Sequence, residues 1–274
     1  MFAKALASNA DCLILDLEDA VAVSEKEKTR QVVAEWLTED FGQKERIVRI
    51  NPLDSQWCKE DIQTTFTTPP DSYLIPKVSH LNELVELDQI ISKQEQHHGV
   101  AVGSVGMIVI ANETPLGALN LAQFTQCKRV VGLTWGAEDL SAALGATGNR
   151  DEQGRYLPVF EYCRSQTLLC AAAGGVSALD GVFVDLKDTS GLQTECAQAR
   201  AMGFSGKLTI HPDQIDIVNA AFTPSEDELA QAKALLDAYA EAESQGKGAF
   251  QFEGQMVDMP HVQRARALLR RAGE

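Results

Sequence analysis

The chain has 274 residues, 45% of them hydrophobic, which is enough to bury the core of one large α/β domain. Its 39 acidic residues against 24 basic give a formal charge of −15, which argues against a nucleic-acid or anionic-membrane partner because both need a basic footprint. The six cysteines form no Cys-x-x-Cys pair and no apolar run reaches the length of a membrane span, so the expectation is a cytoplasmic enzyme with reduced thiols and a small-molecule substrate.

In chain order, residues 2–10 (FAKALASNA) read as the end of a helix that stops near Asn9. Cys12–Asp19 (CLILDLED) reads as a strand with Cys12, Ile14, Asp16 and Glu18 on one face and Leu13, Leu15 and Leu17 on the other. Apolar on both faces at its start and acidic at its end, it is expected to be buried with one end open to water. The pattern repeats. Arg46–Asn51 puts Arg49 and Asn51 on one face, Tyr73–Val78 carries Lys77 near its end, Val105–Ala111 delivers Glu113, and Val130–Trp135 leads to Asp139. Asp180–Asp188 offers Asp185 and Asp188, and Lys207–Pro212 ends on Thr209 and His211.

Between these runs, helices are predicted over Glu25–Leu37, Leu81–Ser92, Leu116–Phe124, Val159–Ala173 and Thr194–Met202. His97 and His98 read as surface loop, and the gap from Ser141 to Leu157 as a mobile loop. Alternating strands and helices predict parallel β/α units with right-handed crossovers, arranged as an α/β (β/α)8 TIM barrel. Seven strands do not close eight, so either the missing first strand lies upstream of Met1 or the barrel is incomplete.

The barrel is expected to occupy residues 1–222, with 223–274 as a C-terminal arm that covers an active site, its own or a neighbour's. Thr223-Pro-Ser-Glu226 reads as a capping box opening a helix to about Ser244. Residues 245–254, with three glycines, read as a turn or hinge, followed by an extended piece over Met256–Pro260 and an Arg-rich helix.

Ligands of parallel β/α barrels bind at the C-terminal ends of the strands, where the polar residues above would converge. Glu113 and Asp139 are hard oxygen donors with no His or Cys at matching spacing, which favours Mg²⁺, or Mn²⁺, over Zn²⁺. Two protein ligands leave room for water and for a chelating 2-oxo or 2-hydroxy acid. For either acid alone the competing reading is a helix cap or a solvated surface group. Arg49 reads as a clamp on a substrate carboxylate or as an internal ion pair with Asp16 or Glu18. Glu18 and Asp19 read as groups that orient bound water and substrate, or as partners of Arg49 or Lys77. Lys77 and His211 are further substrate-contact candidates, His211 alternatively fixing the turn before Pro212. For an anionic ligand the tail offers Arg264, Arg266, Arg270 and Arg271.

Leu15-Asp-Leu-Glu-Asp-Ala-Val21, Val48-Arg-Ile-Asn51, Pro76-Lys-Val78, Glu113-Thr-Pro-Leu-Gly117, Gly136-Ala-Glu-Asp139, Gly203-Phe-Ser-Gly-Lys-Leu-Thr-Ile-His-Pro212 and Gly254-Gln-Met-Val-Asp-Met-Pro-His261 together resemble the citrate lyase β-subunit-like family of the HpcH/HpaI aldolase superfamily. The resemblance implies a (β/α)8 barrel in a homotrimer or hexamer, with Mg²⁺ on Glu113 and Asp139 and an oxo-acid carboxylate on Arg49. It also implies that Asp258 reaches a neighbouring subunit's site as acid/base, with the nearby arginines meeting the phosphates of coenzyme A (CoA). One departure is that family members begin with a Phe-Val-Pro-Gly strand and a substrate-contacting arginine, and this sequence starts just after them.

The function this implies is reversible cleavage of a 3-hydroxy-acyl-CoA, such as malyl-, citramalyl- or citryl-CoA, to acetyl-CoA and a 2-oxo acid. Thioester hydrolysis at the same site, a CoA-independent pyruvate aldolase, and an assembly subunit of a citrate lyase complex are the alternatives.

Overall fold

Short segments, apolar in β1 to β5 and more polar in β6 and β7, form seven strands: β1 (Cys12–Asp16), β2 (Glu45–Arg49), β3 (Ser72–Ile75), β4 (Gly106–Ala111), β5 (Val130–Trp135), β6 (Ser177–Asp180) and β7 (Gly206–Lys207). They lie side by side in sequence order and every neighbouring pair is parallel. In this computed structural model residues 2–273 are described, and the chain divides into two compact units, one running through Val218 and one beginning at Asn219.

The helices of the first unit are α1 (Phe2–Leu6), α2 (Lys26–Trp36), α3 (Cys58–Thr65), α4 (Leu81–His97), α5 (Pro115–Asn120), α6 (Ala137–Leu144), α7 (Pro158–Gly174), α8 (Thr189–Met202) and α9 (Ile215–Phe222), the last of which spans the division. Parallel strands joined through helices bury both faces of a sheet, which is why β3 and β4 are buried along their whole length.

Inside the sheet, Ile47, Leu74, Ile108 and Ile110 form one cluster, joined by Cys12 of β1 and Leu179 of β6. Strands one and six can share a cluster only if the sheet curls. The fold is therefore α/β with a curled, all-parallel sheet of the TIM-barrel kind. Among the described residues the ring is not closed, since β1 pairs with β2 alone and β7 with β6 alone. The open side shows at Ile14, expected to be buried and in fact 37% exposed, whereas Leu13, Leu15 and Leu17 on the opposite face are buried.

Several expected boundaries move, for identifiable reasons. β1 stops at Asp16, because the Asp16 carboxylate accepts the backbone N–H groups of Glu18 and Ala20 and turns the chain, which leaves Glu18 and Asp19 in a loop. The strand expected over Asp180–Asp188 lies earlier, at Ser177–Asp180, since Asp185 closes a turn by accepting from the N–H of Lys187 and Asp188 caps α8 at Gly191. β7 is two residues long rather than six, and α4 runs on through His97, with His98 as its C-cap. Helices α3, α6 and α9 were not expected. The gap after Ser141 is partly α6. Its remainder is held by an Arg150–Tyr156 bridge, by Asp151 bonded to Arg155, and by the Asn149 Nδ2 bond to Glu138.

In the second unit the N-cap of α10 (Glu226–Ser244) is Ser225, with Glu228 closing the capping box, so Pro224 precedes the helix instead of opening it. The expected hinge is a hairpin of β8 (Phe250–Phe252) and β9 (Gln255–Val257), turned by Glu253 and Gly254 at φ 47° and 81°. The chain ends in α11 (Met259–Arg271), which buries Val262 and Ala265 and leaves Arg264, Arg266, Arg270 and Arg271 exposed.

Candidate active site

Consecutive parallel strands bring their C-terminal ends together, and five of them deliver the charged groups expected at one mouth. Asp16 ends β1, with Glu18 and Asp19 in the loop that follows; Arg49 ends β2. Lys77 follows β3, Glu113 follows β4, and Asp139 sits in the first turn of α6 after β5. Two non-glycine residues here adopt left-handed backbone, Lys77 at φ 57° and Asn112 at φ 61°. Asn112 anchors its amide on α7, donating to the Cys163 carbonyl at 2.9 Å and the Thr167 hydroxyl at 2.7 Å, and so turns the chain just before Glu113. Strain of this kind collects at functional sites. Gly136 completes the fit, because a Cβ there would stand 2.6 Å from Glu113 Cγ.

The side chains form one ion network. Arg49 donates to both oxygens of Asp16, from Nε at 2.7 Å and from Nη2 at 2.6 Å. Lys77 Nζ donates to Glu18 Oε1 at 2.5 Å and to Asp19 at 3.1 Å, and lies 3.5 Å from Asp139 Oδ1. Arg49 Nη1 stands 3.1 Å from Glu18 Oε2, near enough to pair as charges but off a hydrogen-bond line, so this buried oxygen has no donor. The ion-pair readings of Arg49, Glu18 and Asp19 are therefore met, and these pairs stand at the strand ends.

Five carboxylates (Asp16, Glu18, Asp19, Glu113, Asp139) face two cations (Arg49, Lys77), and the excess falls on Glu113. Burial pushes its carboxyl up to about 8; the Lys77 backbone N–H, donating at 2.5 Å, pulls the other way, and the charges of Asp139 and Glu18 raise it further. Glu18 is also raised, chiefly by burial. Asp16 is held low, because the hydrogen bond and charge of Arg49 and two backbone N–H groups together outweigh its burial.

A carboxyl raised chiefly by its own burial, and further by the charges of Asp139 and Glu18, is a place where added positive charge is favourable. Glu113 and Asp139 are the donors that suit it. Among the described residues no group of three or more His, Cys, Asp or Glu is arranged to hold a metal. As two hard oxygen donors, Glu113 and Asp139 fit a divalent ion that would take water or ligand oxygens in its remaining positions.

Two further expected residues take part in local caps. His211 caps a short 3-10 turn, its Nδ1 accepting from the Asp213 N–H at 3.3 Å, and it makes no bond to the network. Asp258, in the second unit, is the N-cap of α11 and pairs with His261 Nδ1 at 2.6 Å. Asn51 does not face the mouth with Arg49; it is buried on Lys26 and Asp61. Sequence reading missed Lys26, a lysine in a charged helical stretch that burial gives a special place; only the acidic loop eight residues upstream hints at it.

Residues 1–212 match the model of the HpcH/HpaI aldolase/citrate lyase family. The chain belongs to that family. A citrate lyase subunit beta-like protein of Mycobacterium tuberculosis is 37% identical over 273 residues, covering 100% of this chain and 91% of the relative. A (3S)-malyl-CoA thioesterase of Cereibacter sphaeroides is 36% identical over 273 residues, 98% of this chain and 89% of that one. Among solved structures, CitE of Mycobacterium tuberculosis in complex with magnesium, acetoacetate and coenzyme A superposes with a TM-score of 0.81 at 38% identity, covering 100% of this chain and 93% of that one. As a citrate lyase-family chain, the protein sits among enzymes that act on CoA thioesters. Among its described residues no helix is long and apolar enough to cross a membrane.

Proposed function

We propose that this chain is a Mg²⁺-dependent lyase that cleaves a 3-hydroxy-acyl-CoA of the malyl, citramalyl or citryl type to acetyl-CoA and a 2-oxo acid. The observation that carries the reading is the mouth itself, where one arginine and one lysine stand among five carboxylates and Glu113 is pushed up to about 8. The magnesium, acetoacetate and CoA held by the CitE relative support it.

In this reading Glu113 and Asp139 hold the ion, which when bound supplies Lewis acidity to the substrate's hydroxyl and carboxylate oxygens. Arg49, kept in plane by Asp16 along its Nε–Nη2 edge, turns its remaining N–H groups to the oxo-acid carboxylate. Lys77 offsets the acids of the β1 loop so that an anionic substrate can approach. The bond between the hydroxyl-bearing carbon and the α-carbon of the thioester breaks as the hydroxyl proton passes to water, and Asp258, fixed by His261 and half exposed, gives a proton to the resulting enolate carbon of the acetyl thioester. It acts from a neighbouring copy in a homo-oligomer, and the exposed arginines of α11 meet the CoA phosphates.

The second reading is hydrolysis of the thioester at the same site, favoured by thioesterases about as similar to this chain as the citrate lyase relatives are. Incubation with malyl-, citramalyl- and citryl-CoA in Mg²⁺ separates the two. Acetyl-CoA with a 2-oxo acid supports the lyase, free CoA with the intact hydroxy acid supports the thioesterase, and no turnover of any of the three sinks both.

A further inference from the structure

A run of buried hydrogen bonds leads from α3 through α2 to the loop that carries Glu18, and none of its members has a part in the chemistry above. Lys26, the first residue of α2, is buried and donates from Nζ to three acceptors at 2.7 Å each, the backbone carbonyls of Leu17 and Glu18 and the side-chain oxygen of Asn51. An ammonium has three hydrogens, so its capacity is filled. Asn51 spends both amide hydrogens in turn, on the Leu17 carbonyl at 2.9 Å and on Asp61 Oδ2 at 2.7 Å. Asp61 also accepts the Asn51 backbone N–H at 3.0 Å, and its other oxygen takes Arg30 Nε at 2.7 Å. Because Asn51 accepts from an ammonium and donates to a carboxylate, only one orientation of its amide satisfies the network.

An ammonium buried against carbonyl oxygens and joined to a carboxylate only through an amide is an expensive arrangement. What it holds in place is the backbone of Leu17 and Glu18, and Glu18 is the residue that joins the two cations of the mouth, with Oε1 on Lys77 at 2.5 Å and Oε2 3.1 Å from Arg49. The same stretch also makes two single backbone bonds, from the Leu17 N–H to the Arg49 carbonyl and from the Val21 N–H to the Glu18 carbonyl, each at 2.9 Å. The Glu18 backbone N–H is taken by Asp16, whose own oxygens are spent on Arg49.

We infer that Lys26 is a positioning residue for substrate binding, gripping the carbonyls of Leu17 and Glu18 so that the Glu18 side chain sets the spacing of Arg49 and Lys77. Lys26 touches no substrate. The inference rests on the reading of the mouth as an oxo-acid site.

The test uses the full chain with pyruvate as the probe in Mg²⁺ buffer, Kd being measured by calorimetry and folding by circular dichroism. Lys26→Met is expected to weaken pyruvate binding about tenfold or more, the size of a lost hydrogen bond to a charged group, with the helical signal retained. Glu18→Gln is expected to weaken it comparably, and the double variant to bind no more weakly than the worse single one, because both changes break the same connection. A general loss of stability would leave the Kd of the folded fraction unchanged and would not cancel against Glu18→Gln. Should Lys26→Met not fold, Asn51→Ser removes the far anchor and is expected to show the same cancellation with a smaller shift. An unchanged Kd in the folded variants, or full additivity with Glu18→Gln, overturns the inference alone. Failure of the unaltered chain to bind pyruvate overturns the reading of the mouth, and the inference with it.

Discussion

Two clusters of charge at the strand ends use the same residue types and end in opposite states. At the ends of β1 to β5, five carboxylates face two cations, and Glu113 is pushed up to about 8. At the ends of β6 and β7 the sign reverses. Asp180 is buried beneath Arg164 (2.9 Å), Lys207 (2.9 Å) and the Trp135 Nε1–H (2.9 Å), while Glu195 takes Lys207 (2.8 Å) and Arg150 (2.7 Å), so two acids meet three cations. Burial alone would raise Asp180, but its cations outweigh it and hold the carboxyl low. A cluster in which every acid has its cations is complete and structural. An unbalanced one is short of positive charge, which a metal ion can supply.

The sharpest way to break this contrast is to exchange the expected outcomes. Glu113→Ala should cost on the order of a thousandfold in kcat/KM for the acyl-CoA substrate, as loss of a catalytic electrostatic group does, while leaving the thermal midpoint close to that of the unaltered chain. Asp180→Ala should do the reverse. It strands Arg164 and leaves Lys207 with Glu195 as its remaining acid, and is expected to destabilise the fold by about 3–5 kcal/mol, read from urea midpoints. If Glu113→Ala unfolds the chain and Asp180→Ala spares it, the assignment of the two clusters is wrong.

Arg49→Lys refines the picture within the mouth. The charge stays but the planar fork is lost, so KM for the oxo acid in the condensation direction should rise about tenfold with a smaller change in kcat. An unchanged KM would leave Arg49 as the partner of Asp16 and nothing more. The smallest effect is in pH. Asp180 has a folded pKa below its unfolded value near 3.9, so its contribution to stability is complete above about pH 4 and fades as pH falls through the folded value. Urea midpoints should therefore drop in that acid window, and Asp180→Asn should flatten that part of the profile.

Much of this mouth was legible from residue order. Short apolar runs, each ending in a polar residue and spaced by helical segments, predict parallel strands whose ends converge, and Arg49, Lys77, Glu113 and Asp139 were found that way. Asp180 was passed over for Asp185 and Asp188, because a strand's period of two does not say where the strand stops. The turn at Asp185, closed locally by the Lys187 N–H, and the pull on Asp180 of Arg164 and Lys207, 16 and 27 residues away, decide that. His211 shows the same limit, since its position at a strand end says nothing about which way its ring turns.

The sequence by itself determined the alternation of strands and helices, the acidic character of the strand ends and the family, because periodicity and motif order are properties of the chain taken a few residues at a time. Only the tertiary structure decided which charges balance. It buried Lys26 under the Glu18 loop, turned Asn112 so that Glu113 enters the mouth, and gave Asp180 its cations. A side chain's charge state depends on burial and on partners tens of residues away, and only the folded chain brings those together.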